Sequence, residues 1–239
     1  MSRPIACLVL TLLALTAAWR ADAAEDAMVE AYRLVEVASV ADAMEQLYGQ
    51  KIYMVHNMRP LFPTKFAGRA VTVLLKKAEH DEGPKASKGM LDAIDNHGAG
   101  SVYVMTVEDG LDYAGIGALM STAMKVRGFA GAIIDASVRD VPQIQKLQFP
   151  VYSRGIAPST TINHYRFGGA NIPVMCGGVL VHAGDIVVAD LDGVAVVPAD
   201  KAEAVLKKAQ ELDDTEHRMI PFIEKYKSIN EAVKQFGRI

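Results

Sequence analysis

The stretch from Ser101 to Ile134 constrains the fold more than any other part of this chain. Ser101 to Val107 is apolar and rich in β-branched residues and reads as a strand. Gly117 to Arg127 has helical spacing and stops at Gly128, and Ala130 to Ile134 is a second short apolar strand. A tight turn joins only antiparallel strands. A strand–helix–strand over about 35 residues is a crossover, so these two strands are expected to lie parallel in one sheet. Parallel sheets carry helices on their faces, which makes the expected class α/β.

The flanking sequence extends this pattern. Ala27 to Val37 carries apolar residues at helical spacing, and Ser39 with Asp42 three residues later marks the start of a second helix with Ser39 as its N-cap. Ala70 to Leu75 reads as a buried strand, and Lys85 to His97 as a helix stopped by Gly98. Beyond Pro150 the texture changes. Val179 to Val181, Ile186 to Ala189 and Val194 to Val197 are short β segments set between Gly177-Gly178, Gly184-Asp185 and Asp192-Gly193. Such spacing points to a second β layer rather than to more crossover units. Asp200 opens a helix expected to run to about Asp213, and Ser228 with Glu231 forms a capping box for a last helix. Residues 24–239 are therefore read as one compact domain with a helical C-terminal tail from about residue 200.

The first 23 residues are of another kind. Arg3 supplies a positive start, Ile5 to Trp19 is an almost unbroken apolar run, and Ala21-Asp22-Ala23 places small residues where a signal peptidase cuts. Roughly 15 apolar residues fall short of the about 20 that span a bilayer. Residues 1–23 are thus expected to be a signal peptide, the mature protein exported (periplasmic) and free of the membrane; a retained N-terminal anchor is the alternative. The processed chain would keep only Cys176, in Pro173-Val174-Met175-Cys176-Gly177, read as a buried structural thiol. A net charge of −3 and a pI near 6.1, with basic residues scattered singly or in pairs, exclude a nucleic-acid partner from the expectation.

Ligands of α/β sheets sit beyond the C-terminal ends of parallel strands, and two loops leave the expected strands there. The first is Asp109-Gly110-Leu111-Asp112-Tyr113-Ala114-Gly115-Ile116-Gly117-Ala118, whose glycines permit close backbone approach and whose helix start offers free N–H groups to a carboxylate. The second is Asp135-Ala136-Ser137-Val138-Arg139-Asp140, followed by Pro142 in what would be the first turn of a helix. Taken alone, Arg139 and Asp140 read as a surface ion pair or a helix cap, and as neighbours on an irregular segment their side chains would diverge. Because both loops flank one crossover unit, they are expected to converge on one cleft. That cleft would hold an anion between amides and a guanidinium, with a carboxylate for a hard divalent cation.

At this point the sequence resembles the RraA-like proteins, a family that includes 4-hydroxy-4-methyl-2-oxoglutarate and 4-carboxy-4-hydroxy-2-oxoadipate aldolases. The resemblance is carried by Gly117-Ala118-Leu119-Met120, by Arg127-Gly128-Phe129-Ala130-Gly131-Ala132-Ile133-Ile134-Asp135 and by Val138-Arg139-Asp140. A second signature matches Cys176-Gly177-Gly178-Val179 and Ala183-Gly184-Asp185 through Gly193-Val194-Ala195-Val196-Val197-Pro198. It covers roughly Ser39 to Asp200 and implies a layered α/β/β, swivelling-domain-like fold. It also implies that the amides of Gly117, Ala118, Leu119 and Met120 bind the oxo-acid end of a substrate. By the same resemblance Arg139 binds the carboxylate and 2-oxo group and steadies the enolate, and Asp140 holds Mg2+ or Mn2+. The assembly implied is a homotrimer or a hexamer built from trimers.

The chain also departs from the family pattern. Ala118 and Gln143 stand where the aldolases carry acidic residues that position water and move protons, and Ala136 replaces a glycine. His80, Asp81 and Glu82 after the first strand, or Asp109 and Asp112 before the glycine turn, are the candidates to replace those carboxylates. Lys76 and Lys77 at a strand end are read as exposed rather than as Schiff-base lysines. The six histidines show no zinc-protease spacing, and there is neither a nucleophile elbow nor a P-loop. The expected function is a divalent-metal-dependent lyase that cleaves a 4-hydroxy-2-oxo acid to pyruvate or decarboxylates an oxaloacetate-like substrate. The alternatives are different chemistry on a small anionic ligand, and a non-catalytic binding protein like the ribonuclease inhibitors of the family.

Overall fold

A computed structural model describes residues 27–238; the expected signal peptide lies outside the described residues. Residues 27–34 are helical (α1), followed by α2 (Val37–Tyr48), β1 (Arg59–Pro60) and β2 (Phe66–Lys77). The crossover region comprises α3 (Lys88–Asp95), β3 (Ser101–Val107), β4 (Ala114–Ile116), α4 (Ala118–Val126), β5 (Gly131–Val138) and α5 (Val141–Leu147). Then come β6 (Val151–Ile156), β7 (Tyr165–Ala170), β8 (Val174–Cys176), β9 (Val179–Val181), β10 (Ile186–Asp190) and β11 (Gly193–Val197). The chain closes with α6 (Ala202–Tyr226) and α7 (Ile229–Phe236).

Strands β2, β3, β5 and β6 pair in parallel, as the crossover pattern requires. The glycine-punctuated segments β10 and β11 do not form a separate sheet. They extend the same one antiparallel from β2, giving the order β1-β6-β5-β3-β2-β10-β11, while β8 and β9 form a hairpin of their own. The sheet curls until its edges nearly meet, and residues 52–60 stitch them together. Tyr53 bridges Ala195 on β11, whereas Arg59 and Pro60 pair with Ser153 and Tyr152 on β6. Inside the curl, the Tyr152 hydroxyl donates to the Asp190 carbonyl at 2.6 Å. The expected second β layer is thus the far side of a single rolled sheet.

Rolling buries both faces, which is why β2, β3 and β5 read as continuous apolar runs rather than alternating ones. Val71, Val73 and Leu75 of β2, with Tyr103, Met105 and Val107 of β3, face out under α3, α4 and α5. Ala70, Val102, Val104 and Ile133 point inward, meeting Val187, Ala189, Val194, Val196 and the hairpin residues Val174, Cys176 and Val181. A third cluster joins α1, α2 and α6 to the outer side of β10 and β11 through Tyr32, Met44, Val188, Val197 and Val205. Cys176 is fully buried, and that burial raises its thiol pKa well above the usual range, as a structural cysteine requires.

Two helix starts differ from expectation. Ser39 is not a cap: α2 begins at Val37, whose N–H is held by the Asp190 carboxylate at 3.0 Å, and Ser39 is buried opposite Asp213. The helix after Asp200 does not end near Asp213 but continues to Tyr226 through Pro221. Its second half is held by the chain end, where Arg238 pairs with both Glu216 and Asp42. Ser228 caps α7 as expected, its hydroxyl accepting from the Glu231 N–H at 3.2 Å. Among the described residues, no helix is long and apolar enough to cross a membrane.

Candidate active site

β4 continues the line of β3 along β5. β3 pairs with residues 131–135 and β4 with Ser137 and Val138. Between the two halves of β5 the ladder is irregular, the register with β6 shifting between Ile134 and Ser137. Such a bulge bends a strand and re-aims its end. The ends of β4 and β5 therefore lie side by side and point the same way. Gly117 leaves one of them, and Arg139 and Asp140 leave the other.

Local hydrogen bonds then fix the two loops on each other. The Arg139 N–H donates to the Ile116 carbonyl at 3.1 Å, and the Ser137 hydroxyl to Leu111. The Ser159 hydroxyl donates to the Asp112 carbonyl at 2.6 Å, while the Ser159 carbonyl accepts from an Arg139 Nη at 3.3 Å. Ser159 thus ties the glycine loop to the arginine.

Asp140 adopts a left-handed backbone conformation, φ 58°, immediately before α5, and this turns its side chain back toward α4. Its Oδ2 accepts the Ala118 N–H at 3.0 Å and lies 3.9 Å from Arg139 Nε. The two side chains that should diverge are therefore brought together, and Asp140 caps the neighbouring helix instead of its own. Gly117 makes this possible: a Cβ there would sit 2.5 Å from Asp140 Oδ2 and 3.1 Å from Arg139 Cγ.

Around this pair lies a cavity of about 430 Å³. Gly117, Leu119, Met120, Arg139 and Asp140 all line it, so the two sequence loops do converge. Ala118 is absent from the lining, and its N–H is donated to the Asp140 carboxylate rather than left free for a ligand. The N–H groups of Leu119 and Met120 belong to the first turn of α4 and have no partner within the helix. The Arg139 and Asp140 side chains are 45% and 43% exposed, open to a ligand rather than sealed.

Other expected residues lie elsewhere. Gln143 sits in α5, outside the lining. His80 contacts the Tyr165 carbonyl, and Glu82 is paired with Arg166, whose hydrogen bond and charge hold its carboxyl below the usual range. Asp109 and Asp112 meet Tyr165 and Ser159 through their carbonyls, and Lys77 lies at the exposed end of β2 with its N–H on Glu108. None of these residues lines the cavity.

Residues that sequence reasoning missed complete the wall: Met90, Leu91, Ile94 and Asp95 from α3, and Thr160, Thr161 and Ile162 from the β6–β7 connection. The amphipathic pattern of α3 hinted at its buried side, but nothing local marks residues 160–162. Among the described residues no three His, Cys, Asp or Glu cluster as metal ligands. Asp140 alone does not exclude magnesium, which takes one or two carboxylates and keeps several waters. An exposed carboxylate at the edge of a roomy cavity fits that mode.

Comparison with known proteins agrees with the fold and the signatures. Residues 37–196 match the RraA-like family model, described as Aldolase/RraA. A Halalkalibacterium halodurans protein with the provisional name 4-hydroxy-4-methyl-2-oxoglutarate aldolase is 29% identical over 190 residues, 78% of this chain and 84% of its own. An uncharacterised protein from Pseudomonas syringae superimposes with a TM-score of 0.79 at 25% identity, over 88% of this chain and 94% of its own. Streptomyces coelicolor RraAS2, described as an unusual member of the RNase ES inhibitor RraA family, gives 0.71 at 26% identity, over 80% and 93%. With its curled mixed sheet, its paired loops and a family match over most of its length, the chain belongs to the RraA-like family.

Proposed function

We propose that this protein is a divalent-metal-dependent lyase that cleaves a 4-hydroxy-2-oxo acid to pyruvate, or decarboxylates an oxaloacetate-like substrate. The observation that supports this most is the convergence of Arg139, Asp140 and the first turn of α4 on one cavity. The provisional name of the Halalkalibacterium relative points the same way.

In this reading the Arg139 guanidinium, steadied by Ser159, forks onto the substrate carboxylate and its 2-oxo oxygen. The Leu119 and Met120 amides and the positive end of α4 receive the remaining carboxylate charge. Asp140 would hold the metal ion through its carboxylate. A bound Mg2+ or Mn2+ would supply Lewis-acid stabilisation to the charge that develops on the 2-oxo oxygen.

On cleavage the C3–C4 bond breaks as the 4-hydroxyl gives up its proton and becomes a carbonyl. The electron pair passes to C3 and is delocalised onto the 2-oxo oxygen beside Arg139. C3 then takes up a proton to give pyruvate, so the reaction needs no co-reactant. Asp95 is the second carboxylate on the cavity wall and is assigned to carry that proton, directly or through water.

The test is pyruvate release from 4-hydroxy-2-oxo acids and from oxaloacetate with Mg2+, Mn2+ or a chelator. Metal-dependent release lost in Asp140→Asn supports the lyase. No release from a folded protein that binds Mn2+ by electron paramagnetic resonance would overturn it. The second reading, a binding protein without catalysis, is favoured by Ala118 and Gln143 in place of acidic residues and by the likeness to the Streptomyces RraA protein. We further propose export to the periplasm and a trimeric assembly; fractionation and light scattering test them.

A further inference from the structure

A second cavity, of about 440 Å³, opens beside the seam where the curled sheet closes. None of its lining residues lines the cavity around Arg139. Three parts of the chain wall it: the start of α2, the seam segment between Lys51 and Arg59, and the β10–β11 turn from Asp192 to Val194. Its size lies within the about 300–1,000 Å³ usual for small-molecule sites.

Charge and apolar surface are both present in it. Lys51, His56 and Arg59 bring donor groups to the cavity, and Asp192 is the one carboxylate in the lining. Among the described residues none of the three is paired with a carboxylate. Lys51 Nζ lies 4.6 Å over the Tyr53 ring, and an Arg59 Nη donates to the Leu191 and Asp192 carbonyls, each at 3.3 Å. These contacts place the two cations without neutralising them, so the cavity keeps an excess of positive charge, which attracts anions. The facing wall is apolar: Val37 and Ala41 of α2 with Met54 and Met58, both methionines being buried. Methionine sulfur makes favourable contacts with aromatic rings.

We propose that this cavity is a second ligand site, for a small organic anion with an aromatic body. Its carboxylate would lie between Arg59 and Lys51, and its ring against Met54, Met58 and the start of α2. An inorganic anion would meet the cations but leave the apolar wall wet. A neutral aromatic would cover that wall but leave the cations without a partner. Both halves of the ligand are therefore needed. The proposal stands apart from the lyase reading, since the two cavities share no residue.

The experiment follows methionine methyl signals by NMR in the assembled protein during titration with benzoate, benzyl alcohol or inorganic phosphate. Met54 and Met58 report on this cavity, whereas Met90 and Met120 report on the one around Arg139. Benzoate should give saturating shifts at Met54 and Met58, with benzyl alcohol and phosphate binding there at least about tenfold more weakly. Arg59→Gln should weaken benzoate about tenfold, and so should Lys51→Gln, which gives up no hydrogen bond to the backbone. Ala41→Phe fills the cavity with its charges left in place and should abolish the shifts.

No saturating shift at Met54 and Met58 would overturn the proposal, as would phosphate binding as tightly as benzoate. Shifts confined to Met90 and Met120 would assign the anion to the Arg139 cavity instead. Dissociation of the assembly by Lys51→Gln or Arg59→Gln, read by light scattering, would make this face a contact between subunits and also overturn it.

Discussion

The carboxylate of Asp140 caps a helix to which it does not belong: its Oδ2 receives the Ala118 N–H at 3.0 Å, across the gap between the β4 and β5 strand ends. The contact gives Asp140 two tasks, holding the first turn of α4 and presenting a charge to the cavity, and substitutions can separate them. Asp140→Ala removes both. It should lower stability by about 1 kcal/mol, the usual cost of losing an N-cap acceptor. Asp140→Asn keeps an oxygen acceptor and should melt close to the native protein, yet lose Mn2+ binding. Equal melting temperatures for the two variants would contradict the capping role.

Gly117 is required for its size, not for its backbone angles, since its φ of −144° suits any residue. In Gly117→Ala the new methyl would collide with Asp140 Oδ2 and crowd Arg139. Displacing catalytic groups by about 1 Å commonly costs on the order of a hundredfold in rate. The expected outcome is a drop of that order in kcat/KM with far-UV circular dichroism unchanged. Retention of full activity would show that the two side chains can shift at no cost.

Asp95 was reached only through the structure. If it carries the proton, Asp95→Asn should lower kcat about a hundredfold, the lower end of what general acid–base groups contribute, with little change in KM. A change confined to KM would make Asp95 a wall residue only.

Glu82 titrates low because Arg166 bonds to it, so its sign is that of a depressed carboxylate. Its contribution to stability is present above the ordinary value of 4.5 and is lost as pH falls through the lower folded value. Arg166→Ala should return the Glu82 titration, followed by carboxyl NMR, to about 4.5. Activity near neutral pH should not change, since neither residue lines the cavity. An unmoved Glu82 titration would refute the pairing.

Cys176 should not react with a thiol reagent in the native protein at pH 8, because burial both shields it and keeps it protonated. Reaction should follow unfolding in urea, measured on chain lacking Cys7. Rapid labelling of the folded protein would place Cys176 at an accessible surface.

What could be read from the sequence was local. The strand Ser101–Val107 is bounded by its own composition, and the helix after Gly117 by Gly117 and Gly128, so their parallel crossover, and with it the meeting of Gly117 and Arg139, followed from chain order alone. What could not be read was set by distant partners. Ser39 looks like a cap until Asp190, far along the chain, supplies the acceptor for Val37. Thr160 to Ile162 reach the cavity because β6 and β7 attach to different strands of a curled sheet, and no local pattern records that curl. The approach of Asp140 to Ala118 depends on one left-handed residue that the sequence does not announce.

The central claim is that Arg139 holds the carboxylate of a 2-oxo acid in this cavity, and calorimetric titration of pyruvate in the presence of Mg2+ tests it most directly. The native protein should bind. Arg139→Met, which keeps an unbranched apolar stem at a half-exposed position and removes the guanidinium, should melt at the same temperature and bind about a hundredfold more weakly, the effect of losing a charge-assisted pair of hydrogen bonds. Unchanged affinity in Arg139→Met would contradict the account and place the anion elsewhere.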